Sequence, residues 1–187
     1  MATATSPDPN QSPNVVHEIM NSKLPPSEKA FDRIFQDIAT MSGAGFETTA
    51  GVMRMVIFHT YSNSDILQRL RAELASVANP RSQIQLKALE QLPYLTAVLM
   101  EGLRLSPAIA TRMARVTPDR DIVYDKWRIP RGTPVGMTTI LVHTDESIYP
   151  EPNRFSPERW MNPNPWRMGD KTFLPFSKGT RNCLGMQ

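Results

Sequence analysis

Phe176-Ser177-Lys178-Gly179-Thr180-Arg181-Asn182-Cys183-Leu184-Gly185, close to the end of a 187-residue chain, holds its only cysteine. Glycines stand on both sides of that cysteine, an arginine precedes it by two positions and a phenylalanine by seven. A cysteine binds a metal as the thiolate, so its site must stabilise negative charge, and N–H groups of glycine-rich backbone serve that purpose. Gly179 and Gly185 supply such backbone. Glycine also tolerates positive φ and lets a flat ligand approach the main chain, while Arg181 can pair with a carboxylate on the ligand's rim. Phe176 would shield the sulfur from water. The competing reading is a lone cysteine acting as a small buried hydrophobe; the spacing Phe-x-x-Gly-x-Arg-x-Cys-x-Gly favours the metal.

Working outward, 40% hydrophobic residues suffice for one domain with a core. Ten of the seventeen prolines follow residue 106, which predicts coil and turns in the C-terminal part and helices before Ser106. A net charge of +3 from scattered lysines and arginines lacks the clustered basic face of a nucleic-acid binder. No apolar run is long enough to span a membrane, since Arg54 interrupts the best one, Val52 to Phe58. Residues 1–14 have no apolar core of a signal peptide and read as a disordered tail, with one domain over residues 15–187. A single cysteine excludes an intrachain disulfide and suits a reducing, intracellular compartment; without a span, the expectation is cytoplasmic.

Upstream, Ser27 reads as an N-cap and Glu28 as its first-turn acid. Phe31, Ile34, Ile38, Met41, Gly45, Thr48, Val52, Met55 and His59 then recur at three- and four-residue steps, predicting one long helix from Ser27 to Tyr61. Its middle, Ala44-Gly45-Phe46-Glu47-Thr48-Thr49, puts glycine and threonine where the stripe wants bulk. Either another helix packs into that notch, or a back-bond from Thr48 to the Ala44 carbonyl loosens the ladder and leaves room for a small ligand. Asn63-Ser64-Asp65 caps a second helix, with Arg69 and Glu73 paired outside. Pro93 opens a third, Tyr94 to Leu105, with Leu95, Val98, Leu99 and Leu103 apolar and Glu101 and Arg104 at i, i+3. Such a pair is ordinarily a solvated ion pair. Residues 111–117, 121–125 and 133–138 read as short strands around a Pro130-Arg131-Gly132 turn, and residues 139–144 as a short helix. His17 and His143 have no neighbouring ligands, so the first is expected at the surface and the second in the core or at the surface. Residues 149–175 read as a meandering coil.

Four motifs in order, Ala44-Gly45-Phe46-Glu47-Thr48-Thr49, Glu101-x-x-Arg104, Pro157-Glu158-Arg159-Trp160 and the cysteine loop, resemble those of the cytochrome P-450 family. Local wording such as Leu24-Pro25-Pro26-Ser27 is similar to its fungal members. The resemblance implies a mainly α fold with a small β portion, and a haem b cofactor whose proximal iron ligand is Cys183. It implies that Phe176, Gly179, Arg181 and Gly185 cradle the haem, that Ala44 and Gly45 lie over its distal face, and that Arg115 meets a propionate. Thr48 would be the alcohol beside the oxygen site and Glu47 the acid of its proton relay. Ile109, Ala110 and Thr111 would face the substrate. Glu101, Arg104 and Arg159 would form a buried, structural charge network. The implied activity is insertion of one oxygen atom from O2 into a small apolar substrate, in fungal secondary metabolism, with electrons from NADPH through a reductase. The chain corresponds to the C-terminal part of a family member and stops after the haem loop. The alternative expectation is therefore a truncated, non-catalytic haem-binding remnant, inactive alone. A third reading, a haem-thiolate enzyme that rearranges peroxides, is opposed by Thr48.

Overall fold

The computed structural model describes residues 14–77, 85–106, 109–161 and 171–186. Expectations placed on residues 1–13 and on residues 162–170 lie outside these. The chain divides into two compact units, residues 1–47 and 48–187, and the boundary falls within a helix.

In the first unit, Asn14 caps α1 (Val15–Asn21), its Oδ1 accepting the His17 amide at 3.0 Å. The long helix does not begin at Ser27. Residues Pro26–Lys29 form one 3-10 turn, Ala30 is extended at φ −65° and ψ 146°, and α2 runs from Phe31 to Ser62. Pro26 has no N–H and a fixed φ, which suits the first position of a short turn. The Ala30 amide closes that turn on the Ser27 carbonyl at 3.4 Å, and a fresh ladder starts when the Ile34 amide bonds the Ala30 carbonyl at 3.0 Å.

In the second unit, the α2 residues Thr48, Val52, Met55 and His59 are half-buried, the face that the sequence period picks out. Asn63 Oδ1 accepts the amides of Asp65 and Ile66 at 3.1 and 3.2 Å and so caps α3 (Ser64–Val77). A four-residue α4 (Leu86–Leu89), too short to leave a periodic signal, precedes α5 (Pro93–Leu105). A Cβ on Gly102 would stand 2.2 Å from Val56 Cγ2, so glycine is what admits α2 against α5. The buried residues of α5 include Ala97, Val98, Met100, Glu101 and Arg104, whereas the apolar Leu99 is 44% exposed. Apolar residues alone do not mark this face, because two of its buried members are charged.

The sheet is a hairpin. Strands β1 (Ile122–Tyr124) and β2 (Trp127–Ile129) pair antiparallel, with Ile122 opposite Ile129 and Tyr124 opposite Trp127. Of the three expected strands only the middle one is a strand. The outer two meet in one bridge, Arg115 with Val135, whose N–H···O bonds measure 2.7 and 2.9 Å. After α6 (Thr139–His143) the coil reaches a 3-10 turn at Pro157–Trp160 packed on α5. The core gathers around α5 as two clusters, one of Ala97, Met100, Tyr149, Trp160 and Phe173, the other of Ile66, Tyr94, Val98 and Phe155. Among the described residues no helix is long and apolar enough to cross a membrane.

Candidate functional site

The i, i+3 pair on α5 is not solvated. Glu101 and Arg104 side chains are both 0% exposed, and Arg104 grips the carboxylate with two bonds, Nε to Oε2 at 2.9 Å and Nη2 to Oε1 at 2.8 Å. The Pro157–Trp160 turn and its approach supply three further donors: Arg159 Nε at 2.9 Å, the Ser156 amide at 2.9 Å and Trp160 Nε1 at 2.8 Å. Burial alone would raise the Glu101 pKa; the bonds and charge of Arg104, with Ser156 and Arg159, outweigh it and hold the carboxyl below its usual 4.5. Each arginine also reaches outward. Arg104 donates to the carbonyls of His143 and Arg154 at 2.6 and 3.3 Å, and Arg159 to those of Pro150 and Glu151 at 3.1 and 3.4 Å. One carboxylate thereby fixes a coil more than fifty residues away in sequence, as a fully bonded charge network must if it is to be buried at all.

Two further carboxylates orient α5. Glu73, expected to pair with Arg69, instead accepts the amides of Tyr94 and Leu95 at 2.8 and 2.7 Å and caps the helix that Pro93 opens. Arg69 lies over the Tyr94 ring at 4.1 Å and bonds Glu158 at 3.1 Å, which also accepts the Tyr94 hydroxyl at 3.2 Å.

The cysteine loop stands at the end of this scaffold. Ser177 and Gly179 both have positive φ, 62° and 83°, and no atom lies within 4 Å of a Cβ placed on Gly179, so that glycine answers backbone conformation alone. The Cys183 amide bonds the Phe176 carbonyl at 2.9 Å and the Asn182 amide bonds that of Gly179 at 3.2 Å. Cys183 is exposed, and a Cβ on Gly185 would sit 4.0 Å from its sulfur, so glycine leaves that side of the thiol unwalled. A cleft of about 320 Å³ is lined here by Phe173, Pro175, Phe176 and Met186, with Gly179 and Asn182. Phe176 is half-buried and Arg181 exposed.

Of the other expected site residues, Ala44, Gly45 and Glu47 lie in the first unit and are exposed, while Thr48, the first residue of the second unit, is half-buried. No atom lies within 4 Å of a Cβ placed on Gly45, so the notch is open. Arg115 is held in its bridge to Val135, and its Nη1 donates to the carbonyls of Met113 and Ala114 at 2.7 and 3.3 Å. The structure thus brings Glu101, Arg104 and Arg159 together, with Trp160 and Ser156 added, and sets Cys183 and Arg115 on separate elements. Among the described residues no three His, Cys, Asp or Glu side chains cluster as metal ligands.

The cytochrome P-450 family model matches residues 6–187. Among curated relatives, the chain is 42% identical over 180 residues to the cytochrome P-450 monooxygenase tndB of Aspergillus flavipes, covering 95% of this chain and 37% of that protein. It is 42% identical over 179 residues to the cytochrome P-450 monooxygenase sdnE of Sordaria araneosa, covering 93% and 35%. It is 43% identical over 174 residues to the tryptophan 6-hydroxylase fscE of Fusarium equiseti, covering 92% and 34%. The chain spans about a third of the length of these relatives.

Proposed function

The chain belongs to the cytochrome P-450 family, whose cofactor is haem, and from that premise we propose that it carries the thiolate side and part of the distal side of a haem monooxygenase acting on a small apolar substrate. The observation that carries this reading is Cys183: an exposed thiol on a glycine-shaped loop, with no side chain at position 185 to wall it off. Haem would bring its iron already held by the porphyrin, so Cys183 would be the one side chain of this chain needed to bind it on the thiolate side.

Haem, when bound, supplies the activation of O2, with electrons from NADPH delivered by a reductase. This chain's residues bind and orient it. Cys183 would supply the thiolate that holds the iron, Phe176 would shield that sulfur from water, and Arg181 and Arg115 would offer guanidinium groups to the haem propionates. Thr48 Oγ1 and the Glu47 carboxyl hold and pass protons on the distal side. The network of Glu101, Arg104 and Arg159 does no chemistry and holds the coil that carries the loop. These fungal relatives, among them a protein named for tryptophan 6-hydroxylation, favour a role in secondary metabolism.

The test is spectroscopic. The ferrous–CO complex of the haem-loaded protein should show the strongly red-shifted Soret band given by a thiolate, and Cys183→Ser should abolish it; an unchanged band sinks the assignment. Thr48→Ala should leave haem bound and divert reducing equivalents to hydrogen peroxide.

A further inference from the structure

His143 is 2% exposed, and both of its ring nitrogens are engaged by backbone. Nδ1 lies 3.0 Å from the carbonyl oxygen of Arg104, and Nε2 lies 2.9 Å from the amide nitrogen of Leu174. A carbonyl can only accept and an amide N–H can only donate, so this pairing admits one form of the ring: neutral, with the proton on Nδ1. The clasp is reciprocal, because Arg104 Nη1 donates to the His143 carbonyl at 2.6 Å. The ring is packed edge-on to Tyr149 and stacked on Phe173, at centroid distances of 6.1 and 5.9 Å. The bonds continue toward the thiol: the Ser177 amide donates to the Leu174 carbonyl at 3.0 Å, and the Cys183 amide to the Phe176 carbonyl at 2.9 Å.

We propose that His143 is a positioning residue for the cysteine loop, a neutral imidazole clamp that ties the backbone of the Glu101–Arg104 helix to Leu174 and so sets where Cys183 stands. The proposal deepens the haem-thiolate reading and rests on it for its functional consequence. The tie is made to two backbone groups that every residue type has, so it transmits position and not side-chain chemistry. The charged and titratable groups that face the ring are Arg104, Glu101 and Tyr149. Burial opposes a charge on the ring and, with the adjacent guanidinium, outweighs the Arg104 carbonyl and the Glu101 carboxylate that favour it, bringing the His143 pKa down to about 4. The neutral form is therefore the one present at working pH.

The test compares His143→Phe, which keeps an aromatic ring against Tyr149 and Phe173 and loses both bonds, with His143→Gln, whose amide can both donate and accept. In the haem-loaded protein, His143→Phe should speed exchange of the Leu174 amide hydrogen about tenfold, the effect of losing one buried hydrogen bond. It should also shift the ferrous–CO spectrum from the thiolate toward the neutral-thiol form, and His143→Gln should restore most of both signals. Long-range proton–nitrogen NMR of the diamagnetic ferrous–CO form of the unmutated protein should find the proton on Nδ1, unchanged between about pH 5.5 and 8. A proton on Nε2, a charged ring in that range, or a Leu174 amide as protected in the Phe variant as in the parent overturns the proposal. If His143→Phe fails to fold, the NMR result and the Gln variant decide. Loss of the haem-thiolate reading is recognised separately, by a Soret band that survives Cys183→Ser while the ring and amide results stand.

Discussion

The Glu101 network and the cysteine loop are opposite solutions to holding a chemically demanding side chain. Around Glu101 the side chains are buried and the bonds run between segments distant in sequence, to Ser156, Arg159 and Trp160. Around Cys183 residues 178–186 are exposed and the bonds join near neighbours: Leu174 with Ser177, Phe176 with Cys183, Gly179 with Asn182. A buried charge is tolerable only when every lone pair is met, so the first region has one geometry and no freedom. The Cys183 thiol is not packed away, and its loop is shaped by backbone conformation and fastened at its root. The contrast teaches where substitutions will be felt as lost stability and where as lost chemistry.

The largest effect on stability is expected at the carboxylate. Glu101→Gln keeps the volume but leaves Arg104 and Arg159 as buried charges without an anion, which costs about 3–5 kcal/mol. Urea unfolding of parent and variant checks this, and a difference under ~1 kcal/mol would show the network to be less coupled than its geometry.

Acid offers a second way to separate the regions, because the buried His143 and Glu101 act in different windows. His143 has its pKa brought from 6.5 down to about 4, so the unfolded chain takes up a proton that the folded chain refuses. Its contribution is present above pH 6.5 and is lost as pH falls toward 4, by up to ~3 kcal/mol at about 1.4 kcal/mol per unit. Glu101 is held below its usual 4.5, so its contribution begins to fall only beneath that value and is lost through the lower, folded pKa. Stability measured against pH should therefore decline first in the histidine window, to which His59, its pKa also lowered by burial, adds a share, and His143→Gln should shrink that first decline while leaving the later, Glu101 one in place.

A smaller effect belongs to the helix contact that supports the network from behind. Gly102→Ala would drive a methyl to within 2.2 Å of Val56 Cγ2. Overpacking of this kind costs about 1–3 kcal/mol, and because the obstacle is a side chain, adding Val56→Ala should recover part of it. Equal instability of the single and double variants would place the strain elsewhere.

How much of this could be read from sequence depended on whether the deciding partner was local. Asn63 and Pro93 marked the starts of α3 and α5 correctly, because capping and the missing proline N–H act within one turn. Thr48, Val52, Met55 and His59 were placed on the covered face of α2 by their period alone. Ser27 misled, since its capping preference was overridden by the two prolines before it. Trp127-Arg128-Ile129 was passed over because three residues carry no alternation, and the partner that makes them a strand is β1. The Glu73 cap, the Trp160 indole bond and the His143 clamp depend on residues at least twenty-one positions away, out of reach of any local rule.

The smallest effect on stability is expected at Cys183 itself, where the effect on function should be complete. The thiol is exposed, and what holds its residue in place is the amide bond to Phe176, which serine makes equally well. Exposed substitutions that leave backbone geometry alone usually change stability by no more than ~0.5 kcal/mol, and serine differs from cysteine by one atom. Cys183→Ser should thus unfold in urea together with its parent when both are measured without haem. With haem supplied, only the parent should gain stability from ligand binding, since a ligand stabilises the state that binds it in proportion to its affinity. Destabilisation of the haem-free variant by more than ~1 kcal/mol would mean that the sulfur is part of the packing after all, and the contrast between a satisfied anchor and an open loop would fail at its open end.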